Sequence, residues 1–167
     1  MDLHSLQDRK LLIQFIRMQK PIDIWSSPPC TTWTAAQIIN IARFGRRPFG
    51  EKAAFELLSY LKRLHKIQRQ LGGRSHHEQS NRSRAPCDTG EWPSVIENVD
   101  SVSVSGCAVG LKNPSGELLA KAWRIESTSK ELLQALAPFK CSGGHAHGVS
   151  LGNNILDKIA CYLATFP

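Results

Sequence analysis

The sequence predicts one α/β domain spanning residues 1–167, built on a mostly parallel sheet with flanking helices. Three observations point there. The chain has 167 residues, a length that suits one hydrophobic core better than two. Its 41% apolar and 21% charged residues are ordinary for a globular protein and argue against wholesale disorder. Short runs of strand character alternate with helical runs, an order that implies parallel strands with function at their carboxyl ends.

The elements follow in order. Residues 5–19 predict an amphipathic helix, with Leu6, Leu11, Leu12, Phe15, Ile16 and Met18 on one face and Pro21 as its stop. Ile22-Asp23-Ile24-Trp25 reads as a short strand, closed by the turn Ser26-Ser27-Pro28-Pro29 before Cys30. A capped helix start spans 31–39, and the basic loop 43–50 interrupts it. A long helix runs from about Glu51 to Gln70, turning Phe55, Leu57, Leu58, Leu61, Leu64 and Ile67 inward, and Gly72-Gly73 caps it. Residues 74–79 read as a second strand, 80–90 as a polar, arginine-rich loop, and 93–99 as a short helix. Val102 to Ser105 alternates as a strand should. Gly106 to Leu111 leads to the turn Asn113-Pro114-Ser115-Gly116, then come a strand over 121–127 and a helix over 129–136.

Several function classes are excluded or narrowed by composition. No run approaches the ~18 apolar residues needed to cross a bilayer. The start, Met1 to Ser5, carries an acid and no basic leader, so no secretory signal is expected. Five cysteines, scattered and odd in number, suit reduced thiols and an intracellular location, cytoplasmic or nuclear. The formal charge of +7 is concentrated between Arg43 and Arg84. Arg43, Arg46, Arg47, Arg74, Arg82 and Arg84 are the candidates to meet DNA or another nucleic acid; a solvated helix face with a basic loop is the plainer alternative.

Four places carry candidate chemistry. Cys30 follows a strand and a rigid Pro-Pro turn and precedes a helix, whose N-terminal field favours a thiolate. It reads as a nucleophile or as a small residue at a tight corner. Glu78, at the end of the second strand, is placed to share a proton with a heteroaromatic ring nitrogen or to balance nearby arginines. Arg124 reads as a substrate-phosphate or carboxylate contact, or as an ion-paired strand arginine. Cys141, His145 and His147 resemble part of a zinc site. Only Cys161 lies downstream as a fourth thiol and the spacing fits no usual finger, so no metal is expected there. No dinucleotide-binding or phosphate-binding glycine loop and no Gly-x-Ser-x-Gly elbow occurs.

The order strand, Pro-Pro-Cys, long helix, Glu strand, Arg strand resembles the middle of a cytosine-5 DNA methyltransferase. The resemblance implies a partial Rossmann-like methyltransferase fold, with Pro29-Cys30 matching the loop whose thiolate attacks carbon 6 of a flipped cytosine. Glu78, 48 positions after Cys30 (78 − 30), matches the acid that contacts the ring nitrogen. Arg124, 46 positions further (124 − 78), falls near the family's arginine strand. Asp2 and Leu3 resemble the motif that touches the cofactor adenine, and Pro28 is carried over with them as a cofactor contact. Glu97-Asn98-Val99 matches the family's Glu motif in its letters but lies 67 positions after Cys30 (97 − 30), so Glu78 is preferred.

A closer resemblance is to a divergent group found in retroelement-derived polyproteins and covers nearly the whole chain. It rests on Ser27 to Thr31, His77-Glu78, Gly106 to Leu111, Lys121 to Arg124 and Cys141 to Gly148. Departures from the enzymes are plain: Gln79 replaces the Asn of the Glu motif, and Ala122-Trp123 replaces Pro-Gln. The family's glycine-rich cofactor loop and ribose-binding acid belong ahead of the point where this sequence starts. The expectation is therefore a domain incomplete at its N-terminal side, with an exposed sheet edge and no catalysis alone. No cofactor is expected for such a fragment, and S-adenosylmethionine for a complete enzyme. Two alternatives remain: a nucleic-acid-binding module using residues 43–84, and a cysteine enzyme in which a histidine such as His77 or His145 serves Cys30 as base.

Overall fold

A computed structural model describes residues 3, 5–29, 51–81 and 95–148. Helix α1 (Leu6–Gln19) begins where Ser5 accepts a hydrogen bond from the Asp8 N–H and ends at Lys20, in the left-handed region with φ 44°. Strand β1 (Asp23–Ser26) follows, then helix α2 (Glu51–Gln70) and strand β2 (Arg74–Ser80). The tight α2–β2 junction explains its glycines. Gly72 has φ 82°, and a side-chain carbon on Gly73 would stand 1.9 Å from the Gln68 amide, which itself donates to the Pro21 carbonyl at 2.6 Å. Strand β3 (Asp100–Ser105), a 3-10 turn (Gly106–Val109), strand β4 (Ala122–Ser127) and helix α3 (Lys130–Leu136) complete the described chain.

The strands form one mixed sheet in the order β1-β2-β4-β3. Only β1 and β2 run parallel; β2–β4 and β3–β4 are antiparallel. The α/β class holds, and the expectation of a mostly parallel sheet is corrected. The cause lies in the connections. Helix α2 supplies the crossover that a parallel pair requires, whereas the link from β3 to β4 carries no α-helix, only the 3-10 turn and a small hairpin closed by the Lys112–Leu118 bridge, so the chain doubles back. Residues 95–99 carry turns rather than the expected short helix. Their backbone is taken instead by a sheet side chain, because Glu126 accepts from the N–H groups of Val95 and Ile96 at 3.1 and 3.3 Å.

Two apolar clusters cover the two faces. One joins α1 and α2 through Ile13, Ile16, Leu57, Leu61, Leu64 and Ile67. The other, against α3, holds Val104, Leu111, Leu119, Trp123 and Ile125. Period-two alternation sorts the strand side chains between them. Ser26, His77, Arg124 and Glu126 face the α2 side, while Trp25, Ser27, Glu78, Trp123 and Ile125 face α3. Among the described residues no helix is long and apolar enough to cross a membrane.

Candidate functional site

The end of β1 is held from both sides of the sheet. On the α2 side, Ser26 Oγ lies 2.7 Å from His65 Nε2 and 2.8 Å from His77 Nδ1. One hydroxyl satisfies both contacts by accepting from one neutral imidazole and donating to the other. Burial drives both histidines down to a pKa of about 3, with the neighbouring His77 adding to the effect on His65 and the Arg124 charge adding to that on His77. Both rings are therefore uncharged at neutral pH. On the α3 side, the Ser27 hydroxyl donates to Glu78 Oε2.

Glu78 is 6% exposed. Burial pushes its carboxyl above the ordinary value, and the Ser27 hydrogen bond and the Lys121 charge only partly oppose this. It stands on the wall of a cavity of about 400 Å³ between the sheet and α3, lined by Trp25, Ser27, Val104, Trp123, Ile125, Leu136 and Phe139 among others. Trp25 is held in that wall by stacking on His76, with ring centroids 5.4 Å apart. His76 in turn spans Ser127 Oγ and Asp23 Oδ1, each at 2.9 Å. Arg74 grips Asp23 with two hydrogen bonds of 2.7 Å and, with the His76 bond, lowers its pKa to about 2. The result is an aromatic, largely apolar slot with one buried carboxyl on its wall, its pKa raised by burial, an arrangement suited to a flat heterocycle.

The sequence-predicted residues divide accordingly. Glu78 and the turn leading to Cys30 come together; Pro28 is half-buried within that turn. Cys30 itself, Asp2, Arg43, Arg46, Arg47, Arg82 and Arg84 lie outside the described residues, as do the expected helix over 31–39 and the loop over 43–50. Arg124 does not join Glu78. It pairs with Gln79 in the ladder and therefore faces α2, where its guanidinium donates to Glu126 Oε1. Leu3 packs against the α1–α2 cluster, and its carbonyl accepts from Arg9. Arg74 is committed to Asp23. Glu97 sits at the surface, its carboxylate 2.9 Å from Lys62 Nζ.

Three residues escape the sequence reading. His65 is a member of the Ser26 relay, and its signal was a histidine four residues after Leu61 on the inward stripe of α2. Glu126 anchors residues 95 and 96, and nothing in its strand announced a buried acid. Cys107 lies beside Cys141, His145 and His147, although it is remote from them in sequence. Comparison with family models, curated proteins and solved structures gave no match for the chain.

Proposed function

We propose that the cavity against α3 binds a cytosine-type base, with Glu78 as the group that recognises the ring nitrogen. The observation that carries this is the buried Glu78, its pKa raised by burial, on the wall of an aromatic slot and hydrogen-bonded to the turn that leads to Cys30. Burial favours the protonated form of Glu78, and a protonated carboxyl donates to an acceptor. Cytosine offers an acceptor at the unprotonated ring nitrogen between its carbonyl and amino carbons, whereas thymine and uracil carry a hydrogen there. The same contact withdraws electron density from the ring, which favours addition of a thiolate at the conjugated carbon. Cys30, three residues beyond Ser27 in the chain, is the thiol nearest in sequence to that position.

The resemblance to cytosine-5 DNA methyltransferases and their retroelement-derived relatives supports the same reading. S-adenosylmethionine is the methyl donor that the resemblance implies, and the described residues do not provide a cradle for it. Their two buried carboxylates are Glu78, on the base slot, and Glu126, taken by two backbone N–H groups and Arg124, so neither is left for a ribose. What the described residues support is base recognition, not methyl transfer.

The test follows the fluorescence of Trp25 and Trp123 while single-stranded oligodeoxynucleotides rich in cytosine or in thymine are added. Cytosine is expected to bind about tenfold tighter, the value of one hydrogen bond to a buried partner. The preference should vanish in Glu78→Ala. In the parent chain it should weaken as pH rises through the folded pKa of Glu78. Equal affinity for the two oligonucleotides overturns the reading.

A second reading, nucleic-acid binding through backbone phosphates, is favoured by one observation. A groove of about 700 Å³ between α1 and α2 is lined by Arg9, Lys10, Arg17, Lys52 and Arg63. Such binding would show no base preference.

A further inference from the structure

Cys141, His145 and His147 sit on an exposed loop after α3, and Cys107, itself buried, reaches them from the 3-10 turn after β3. One ligand atom from each of the four lies within 4.8 Å of all the others. Cys141 Sγ is 3.8 Å from His145 Nε2 and 3.6 Å from His147 Nε2, and the two Nε2 atoms are 3.0 Å apart. A tetrahedral zinc ion, with bonds of about 2.3 Å to sulfur and about 2.0 Å to nitrogen, spaces its ligand atoms by roughly 3.3–3.8 Å. The three separations among Cys141, His145 and His147 fall within a few tenths of an ångström of that range, and Cys107 Sγ lies within 4.8 Å of each of them.

The surroundings orient the donors. His145 Nδ1 lies 3.1 Å from the Gly143 carbonyl, so Nδ1 carries the hydrogen and Nε2 turns its lone pair toward the other ligands. Metal-bound histidines commonly make this outer hydrogen bond. The Gly143 N–H donates to Cys141 Sγ at 3.4 Å, which fixes the sulfur on the side of the two imidazoles. Gly143 and Gly144 both have φ 73°, and these successive left-handed residues fold the loop back on Cys141. Beyond the site the loop is tied down, with the Gly148 N–H donating to the Leu118 carbonyl at 2.8 Å.

We propose that Cys107, Cys141, His145 and His147 bind one zinc ion as a structural Cys2His2 site. Binding releases the two thiol protons, and two thiolates and two neutral imidazoles replace water around the ion. The site is then uncharged and no electron is transferred. The metal would tie the 3-10 turn to a loop 34 positions later in the chain (141 − 107). Those two segments also carry Val109 and Phe139, both on the cavity wall, so the ion would fix one rim of the slot.

The experiment measures zinc by mass spectrometry in chain purified under reducing conditions, then follows visible absorption as cobalt(II) is added. Expected are one zinc per chain, a tetrahedral cobalt spectrum with thiolate charge transfer, and two protons released. Cys107→Ser and His147→Ala should each weaken zinc binding about tenfold or more. His147→Cys restores four ligands and should keep the stoichiometry while raising the thiolate absorption. Cys87→Ser and Cys161→Ser should leave binding unchanged. Should Cys107→Ser fail to fold, the exposed His147 pair of variants decides. Substoichiometric zinc with an octahedral cobalt spectrum, zinc that follows Cys87 or Cys161, or a Cys107–Cys141 disulfide in the reduced preparation overturns the proposal.

Discussion

Lowering the pH from 7 to 5 acts on the histidine pair behind the Ser26 turn. In the unfolded chain His65 and His77 titrate near 6.5; in the fold, burial holds each at about 3. Among the described residues, His65 Nδ1 and His77 Nε2 have no hydrogen-bond partner, so a proton on either atom would bury a charge without an acceptor. The unfolded chain therefore binds more protons between pH 6.5 and 3, and stability falls as pH falls through that window. From pH 7 to 5 each histidine costs on the order of 2 kcal/mol, so the pair costs roughly 4 kcal/mol, a large share of the roughly 5–15 kcal/mol that holds a domain folded. Asp23 acts only lower down. Its pKa is depressed to about 2, so its contribution is intact at pH 5 and is lost between about 3.8 and 2; being largely exposed, it is worth less than about 1 kcal/mol. Glu78 opposes the histidines, because its raised pKa makes burial costly at high pH and relieves that cost as pH falls through the folded value. Urea unfolding at pH 7, 6 and 5, followed by tryptophan fluorescence, gives the slope. It should approach two protons taken up per unfolding event in Glu78→Gln, be smaller in the parent, and drop by about one in His77→Gln. A slope under half a proton in Glu78→Gln refutes neutral burial of the pair.

Three further outcomes are expected. Glu126→Ala removes an acceptor of the Val95 and Ile96 N–H groups and should cost about 2–4 kcal/mol in urea unfolding, while Glu126→Gln, which still accepts one bond, should cost less. Leu119→Ala, at a site with 0% exposure, should cost about 2–5 kcal/mol by the same measurement; a loss below about 1 kcal/mol would mean that the α3-side cluster collapses onto the gap. If the α1–α2 groove binds phosphates, the affinity for mixed-sequence DNA should fall steeply with salt, and Arg17→Ala with Arg63→Ala should shallow the slope by about two ions; a flat salt dependence rejects that reading.

Helices were the legible part of this chain. Ser5, the Leu58-Leu61-Leu64 spacing and Gly72 mark α1 and α2 to within a residue, because capping and a 3.6-residue period are local properties. Sheet order was not legible, since it depends on whether a connection carries a helix, and the β3–β4 link does not. The helix expected over 93–99 gave way at 95–99 to turns held by Glu126, a partner some thirty residues away. At the site, the place of Glu78 on the strand after the long helix was readable, but the face of Arg124 was not, because one step of register decides it. Cys107 was hidden for a different reason: ligand spacing signals only donors that are close in sequence.

Strand β2 lies inside the sheet and reads Arg-Ser-His-His-Glu-Gln-Ser, without an aliphatic side chain, yet Ser75 to Gln79 are all buried. Most strands find their register by hiding oil from water, and a slip is punished by exposing it. Here a slip by one place would carry His77 away from Ser26 and Glu78 away from Ser27 at once, and would set Arg124 against a different neighbour. The strand is therefore aligned by a set of specific hydrogen-bond matches that must all be met together. Such a strand gains little from collapse alone. Its place depends on β1 and β4, on either side of it, presenting the complementary groups, which makes the centre of this sheet a reader of its neighbours rather than their foundation.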